Sequence, residues 1–173
     1  MGEIGLFQDR RVELIDGEIV HMSPPLSLHS GTVGMVERLL LAAFGGEYWV
    51  RTQMPLRLHA DSEPEPDLAV VEGEPRSYLK DHPKCALLVV EVSESSLAFD
   101  RGPKGSLYAS AGIADYWIVN LIDHCLDVYR NPIADPAAAF GSRYAAHQKL
   151  CPGDRVAPLA KSEARLAVAD LRP

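Results

Sequence analysis

The chain has 173 residues, 47% of them hydrophobic and 24% charged, which is enough for one globular domain with a substantial core. Its net charge of −7 excludes the overall basic character of a protein that coats nucleic acid, but not binding through one local patch or a metal ion. No apolar run approaches the roughly 18 residues that span a membrane, and the N-terminus lacks a signal-peptide pattern. We therefore expect a cytoplasmic protein with no membrane partner.

The N-terminal part predicts a β-hairpin followed by one long helix. Two β-rich runs over about residues 11–22 meet at Asp16-Gly17, a strong turn signal. Apolar residues then recur at helical spacing from Ser27 to about Phe44, and Gly45-Gly46 ends that pattern. Three runs predict strands after the helix: EYWVRTQMPLRLH (47–59, with a bulge or sheet edge at Pro55), DLAVVEG (67–73) and CALLVVEVS (85–93).

The second half predicts a short helix followed by further strands. GPKGSLYASAGI is typical of a helix that starts near Pro103 and ends at Gly112. The later strand candidates are the two halves of DYWIVNLIDHCLDVYRNP (115–132), SRYAAHQKL (142–150) and RLAVADL (165–171). The order predicts an α/β or α+β fold, a mixed central sheet flanked by helices. We expect a single domain over residues 1–173, with the hairpin at about 11–22, a core at about 27–122 and C-terminal strands at about 125–171.

Two predicted strands each place one carboxylate among apolar neighbours. Glu91 lies near the end of CALLVVEVS, and Asp67 lies at the start of DLAVVEG. If these strands are antiparallel neighbours, a strand start faces a strand end, and the two carboxylates can come together. Like charges at that distance favour protonation of one group unless a cation lies between them. A hard cation such as Mg²⁺, which needs few protein ligands, would suit such a pair.

Lys104 belongs to the same constellation. In the predicted helix it shares a face with Leu107, Tyr108 and Ala111, so it should point toward the sheet from the first turn. Its ammonium could then reach a carboxylate or a substrate phosphate. Each residue also has a purely structural alternative. Asp67 could cap the start of its strand, Glu91 could form a buried ion pair with Lys104, and Lys104 could be a solvent-exposed lysine of the first helical turn.

The motifs EPDLAVV, LLVVEVSESS and DRGPKGSLYASAGIADYWIVN, together with the ELIDGE hairpin and the SPP segment followed by His29, carry a family resemblance. In combination they resemble the Uma-type endonucleases, a bacterial group of the PD-(D/E)xK, restriction-endonuclease-like superfamily. The resemblance runs from about Arg11 to Leu150. It implies a restriction-endonuclease-like fold and hydrolysis of phosphodiester bonds in DNA.

The resemblance also implies roles for individual residues. Asp67 and Glu91 would bind Mg²⁺, with Mn²⁺ as a substitute, and Lys104 would orient water or neutralise charge. The superfamily pattern has a lysine where this chain has Ser93, and the family resembles variants in which a helix lysine takes over that role. The secondary candidates are Glu13, His29 and Tyr108.

We expect DNA as the partner and a homodimer as the candidate assembly. The alternative function is a catalytically weak or inactive protein that binds nucleic acid or a protein partner on the same fold. The net charge of −7 and Ser93 favour that alternative, whereas Asp67, Glu91 and Lys104 favour the enzyme.

Overall fold

An N-terminal hairpin opens the part of the chain that a computed structural model describes, residues 11–172. Its strands are β1 (Val12–Ile15) and β2 (Glu18–His21), which pair antiparallel. Asp16 and Gly17 both have positive φ, 53° and 75°, as a type I′ turn requires. The predicted hairpin is therefore confirmed. The expectation that no signal peptide is present rests partly on residues 1–10, which lie outside the described residues.

Helix α1 spans Ser27–Phe44, the predicted range. Its buried face contains Val33, Val36, Leu40 and Phe44, which recur at spacings of three and four residues and pack on the sheet. The helix ends at Gly45, whose φ of 67° suits a residue without a Cβ.

A six-stranded mixed sheet forms the centre of the fold. In spatial order its strands are β3 (Tyr48–Thr52), β4 (Leu68–Glu72), β5 (Leu88–Ser93), β6 (Asp115–Asn120), β7 (Cys125–Ala134) and β8 (Ser142–Leu150). Only the pairing of β5 with β6 is parallel, and the other pairings are antiparallel. This confirms the predicted mixed sheet. All six residues of β5 are buried, as expected for a strand covered on both faces.

The helical segment that carries Lys104 begins earlier than the sequence predicts. It consists of α2 (Leu97–Phe99), a π-helical turn over Asp100–Lys104 and α3 (Gly105–Ser110). The prediction of a start near Pro103 was wrong because Pro103 lies inside this π turn. A proline lacks the N–H that an α-helical turn would use, and the wider π turn accommodates that loss.

Two predicted strands are shorter in the structure than their apolar patterns indicated. The strand predicted over residues 47–59 ends at Thr52, because Gln53 has a positive φ of 50° and Pro55 follows two residues later. Pro55, predicted to mark a bulge or a sheet edge, lies beyond the strand, and β3 is an edge strand of the sheet. In RLAVADL only β10 (Leu166–Ala167) is a strand, paired with β9 (Arg155–Val156), and Val168–Leu171 form a 3₁₀ turn.

The two faces of the sheet carry separate parts of the core, and this separation positions the site. α1 packs on the face that includes Val90 and Val92, and α3 packs on the face that includes Val89. Because side chains alternate along β5, Glu91 and Ser93 lie on the α3 face. None of the helices within residues 11–172 is long and apolar enough to cross a membrane.

Candidate active site

A cleft of about 450 Å³ lies between the hairpin, the segment before α1 and the adjoining ends of β4 and β5. Five of the six residues that the sequence singled out line it: Glu13, His29, Asp67, Glu91 and Lys104. The sixth, Tyr108, contacts Glu91 from α3. Residues spread over almost 100 positions of sequence are thus brought to one place.

The strand register places Asp67 and Glu91 side by side. β4 and β5 are antiparallel, with Leu68 opposite Val90, so Asp67 lies opposite Glu91. The Asp67 main-chain N–H donates to Glu91 Oε2 at 3.2 Å. The Val92 N–H donates to Asp67 Oδ2 at 2.9 Å. Each carboxylate is therefore held by the backbone of the other's strand, in the start-to-end arrangement expected from the sequence.

Glu91 is a buried carboxylate with several donors. It is 4% exposed, and its Oε1 accepts hydrogen bonds from Lys104 Nζ at 3.0 Å and the Tyr108 hydroxyl at 2.6 Å. Burial raises the pKa of Glu91 to about 8, and the negative charges of Asp100 and Asp67 add to this, against the opposing effect of Lys104. With this pKa, the carboxyl of Glu91 changes between its protonated and ionised forms near pH 8.

Lys104 lies between two carboxylates and has almost no exposure to solvent. Its Nζ is 3.0 Å from Glu91 Oε1 and 3.2 Å from Glu13 Oε2, and the side chain of Glu13 is itself buried. Burial lowers the pKa of Lys104, but the charges of Glu91 and Glu13 outweigh burial and raise it. Lys104 is therefore an ammonium at neutral pH, and Glu13 links the hairpin to it.

Asp67 is held by two further side chains. His29 Nε2 lies 3.0 Å from Asp67 Oδ1, and the Gln53 amide donates to the same oxygen at 3.2 Å. Burial raises the pKa of Asp67, but the hydrogen bond and charge of His29, together with the hydrogen bonds from Val92 and Gln53, outweigh burial, so the pKa is lowered. The hydrogen bond to Asp67 in turn raises the pKa of His29. Asp67 therefore loses its proton at a lower pH than Glu91, and the two carboxyls differ in proton affinity.

The donor set at this pair fits a hard divalent cation. An ionised carboxylate has about four lone-pair sites. Three groups of the described chain occupy sites on Asp67 (His29, Gln53, Val92), and three occupy sites on Glu91. One site on each carboxylate is left, and the cleft has room for waters. Mg²⁺ commonly uses one or two protein carboxylates and several waters. Within residues 11–172, no group of three or more histidine, cysteine, aspartate or glutamate side chains could hold a metal ion.

Two cleft residues, Gln53 and Asp100, were not assigned a role from the sequence. The sequence predicts a strand through Gln53, whereas its positive φ ends the strand in the structure. The only sequence signal for this turn is Pro55, two residues later. Asp100 was quoted in the motif without a function, although it precedes Lys104 by one helical turn. Glu18, a further acid of the hairpin, is exposed on β2.

The chain from residue 4 to residue 160 matches the model of the Uma2 family, described as "Putative restriction endonuclease". The chain belongs to the Uma2 family. This Uma2 match confirms the resemblance carried by the strand and helix motifs, and it includes every residue assigned to the cleft. No curated protein matches the chain.

A solved structure with the same fold supports the architecture of this Uma2 chain. It is described as a putative nuclease belonging to DUF820 from Anabaena variabilis ATCC 29413. The TM-score is 0.69 at 17% sequence identity, over 94% of this chain and 90% of that chain. At this identity the likeness establishes the fold, and the fold class expected from the sequence is confirmed.

Replacing Lys104 by alanine should destabilise the protein by about 3–5 kcal/mol, because it leaves the Glu13 and Glu91 carboxylates buried without their cation. The matched control is Lys149→Ala, which removes a lysine from an exposed pair with Asp123 and should cost about 0–1 kcal/mol. Urea denaturation of the three proteins measures the difference. Equal losses in the two variants would show that Lys104 does not neutralise a buried site.

Proposed function

We propose that this Uma2 protein is a Mg²⁺-dependent endonuclease that hydrolyses phosphodiester bonds in DNA. The observation that carries the proposal is the pairing of Asp67 with Glu91 across adjacent strands, with Lys104 Nζ 3.0 Å from Glu91. Two adjacent carboxylates and a buried ammonium in one cleft are the parts that phosphodiester hydrolysis requires. Family membership supports nuclease activity, and the metal, the DNA substrate and the residue roles are our proposal.

Asp67 and Glu91 would hold the metal ion. When bound, Mg²⁺ supplies Lewis-acid stabilisation of charge on the scissile phosphate. Both residues present hard oxygen donors, and Mn²⁺, which prefers the same donors, should substitute. Asp67 is anchored by His29, Gln53 and the Val92 N–H, which orient its carboxylate before any ligand arrives.

Lys104 acts as a donor rather than as a base. Its raised pKa keeps the side chain protonated, so it cannot accept a proton from water at neutral pH. Its ammonium can instead orient the attacking water or neutralise negative charge as the phosphorus–oxygen bond breaks. Tyr108, which donates to the same Glu91 oxygen at 2.6 Å, limits the rotation of that carboxylate. Glu13 positions Lys104 from the hairpin side at 3.2 Å.

A second candidate is a nucleic-acid-binding or partner-binding protein with weak or no catalysis. The observation that favours it is the internal neutralisation of the cleft: Lys104 is paired with Glu13 and Glu91, and His29 with Asp67. The net charge of −7 agrees with it. In that case DNA binding would not depend on a divalent metal.

Cleavage of plasmid and single-stranded DNA should require Mg²⁺ or Mn²⁺ and stop in EDTA. Lys104→Met, assayed at a temperature at which the variant stays folded, should lower the rate by at least about 100-fold, because transition-state charge loses its donor. Lys149→Met, in an exposed pair, serves as the control and should cleave normally. Metal-independent DNA binding without cleavage would replace this proposal with the second candidate.

Light scattering of the same samples tests the predicted homodimer.

The affinity for Mg²⁺ should rise with pH and level off above about pH 8, because the metal ion needs the ionised form of Glu91 and the pKa of Glu91 is raised to about 8. Below that pH each unit should weaken binding about tenfold, since one proton is displaced. Isothermal titration calorimetry between about pH 6 and about pH 9 measures this dependence. Glu91→Gln should remove it. Equal affinity at both ends of the range would contradict a metal site on Glu91.

A further inference from the structure

One buried carboxylate of the cleft is not used by the proposed chemistry. Asp100 is 3% exposed, and its Oδ2 accepts hydrogen bonds from the hydroxyls of Ser93 and Ser96, the latter at 2.6 Å. Ser93 is the last residue of β5 and shares a strand face with Glu91. The Asp100 side chain thus ties the helical segment to the strand that carries Glu91.

The main-chain carbonyl of Asp100 also accepts two hydrogen bonds. Its carbonyl oxygen accepts the Gly105 N–H, five residues later, which closes the π turn. The Tyr116 hydroxyl on β6 donates to the same oxygen at 3.0 Å. A Cβ at Gly105 would lie 3.3 Å from this oxygen, a tight contact that would push the carbonyl by a few tenths of an ångström, and 3.7 Å from the Tyr116 ring, an ordinary contact.

The direction of the Lys104 side chain depends on this turn. A π turn contains one more residue than an α turn, so it rotates every following side chain around the helix axis relative to a regular helix. Lys104 is the last residue of the turn, and its Nζ contacts both Glu91 and Glu13. A regular α turn at this point would aim the ammonium in a different direction.

We propose that Asp100 is a positioning residue for Lys104. Its carboxylate, clamped by Ser93 and Ser96, and its carbonyl, held by Tyr116, fix the π turn in the form that places the ammonium on Glu91. Ser93, at the position of the superfamily lysine, thereby holds the turn that supplies the ammonium from elsewhere. The activity part of this inference rests on the proposed nuclease function, whereas the placement of Lys104 does not.

The activity test compares Asp100→Ala, Asp100→Asn and Ser93→Ala with Asp170→Asn, an exposed control, in plasmid cleavage with Mg²⁺. Asp100→Ala should lower kcat about 100-fold with KM within about twofold, because the reacting groups lose their alignment while DNA contacts persist. Asp100→Asn keeps an accepting oxygen for both serines and should recover most of kcat. Ser93→Ala, which removes one hydrogen bond and stays folded more readily, should lower kcat about tenfold.

A second readout follows the Lys104 ammonium itself by ¹⁵N NMR of the full chain, with Lys104→Ala assigning the resonance. In the wild type the ammonium protons should exchange slowly with water, because Lys104 is 5% exposed and contacts two carboxylates. Asp100→Ala and Ser93→Ala should shift this resonance and speed its exchange, whereas Asp100→Asn and Asp170→Asn should leave it near its wild-type position.

An unchanged Lys104 resonance in folded Asp100→Ala or Ser93→Ala overturns the proposal. So does a loss of activity that higher Mg²⁺ concentration restores, since Asp100 would then act on the metal rather than on the lysine. A wild-type protein that cleaves no nucleic acid contradicts the nuclease function alone, because the NMR experiment still decides whether Asp100 positions Lys104.

Discussion

The buried carboxylate of Glu91 is the constraint on which the rest of the structure depends. A charge at the end of a covered strand costs several kcal/mol unless hydrogen bonds and a counter-charge compensate it. Compensation here comes from three donors: Lys104 and Tyr108 from the helical segment, and the N–H of Asp67, the residue before β4. Each of these donors reaches Glu91 only when the surrounding elements are in place, so forming the site and folding the domain are coupled.

A hairpin remote in sequence adds a second carboxylate to this cluster, because Glu13 contacts Lys104. Lys104 cannot balance Glu91 and Glu13 fully with one charge, and the pKa of Glu91 stays raised to about 8 despite its cation. When Glu91 is ionised, Glu91, Glu13 and Lys104 together carry a surplus negative charge, which is costly to bury. Such a cost is expected at a functional site, where local rules of stability are broken for chemistry. A bound cation would relieve the surplus, which is the physical basis of the proposed metal site.

Much of this fold could be predicted because its elements carry strong local signals. The Asp16-Gly17 turn, the apolar face of α1 and the uniformly apolar β5 each follow from spacing alone. The misplaced boundaries occurred where tertiary contacts override local pattern. Asp100, at the start of the π turn that contains Pro103, contacts Ser93 on β5 and Tyr116 on β6. The periodicity of the helical residues gives no information about these contacts. β3 ends before Gln53, whose backbone has a positive φ and whose side-chain amide donates to Asp67.

Residues whose chemistry contradicts their surroundings, such as Glu91 in an apolar strand, could be singled out from the sequence, and they lie together in the cleft, where their roles stay predictions. It could not assign Asp100, whose partners are two serines of ordinary appearance. The central claim, a divalent cation shared by Asp67 and Glu91, is tested most directly by a crystal structure with Mn²⁺ and its anomalous signal. The account predicts one Mn²⁺ within about 2 Å of an oxygen of each carboxylate. Anomalous density elsewhere, or none at this pair at saturating Mn²⁺, would contradict it.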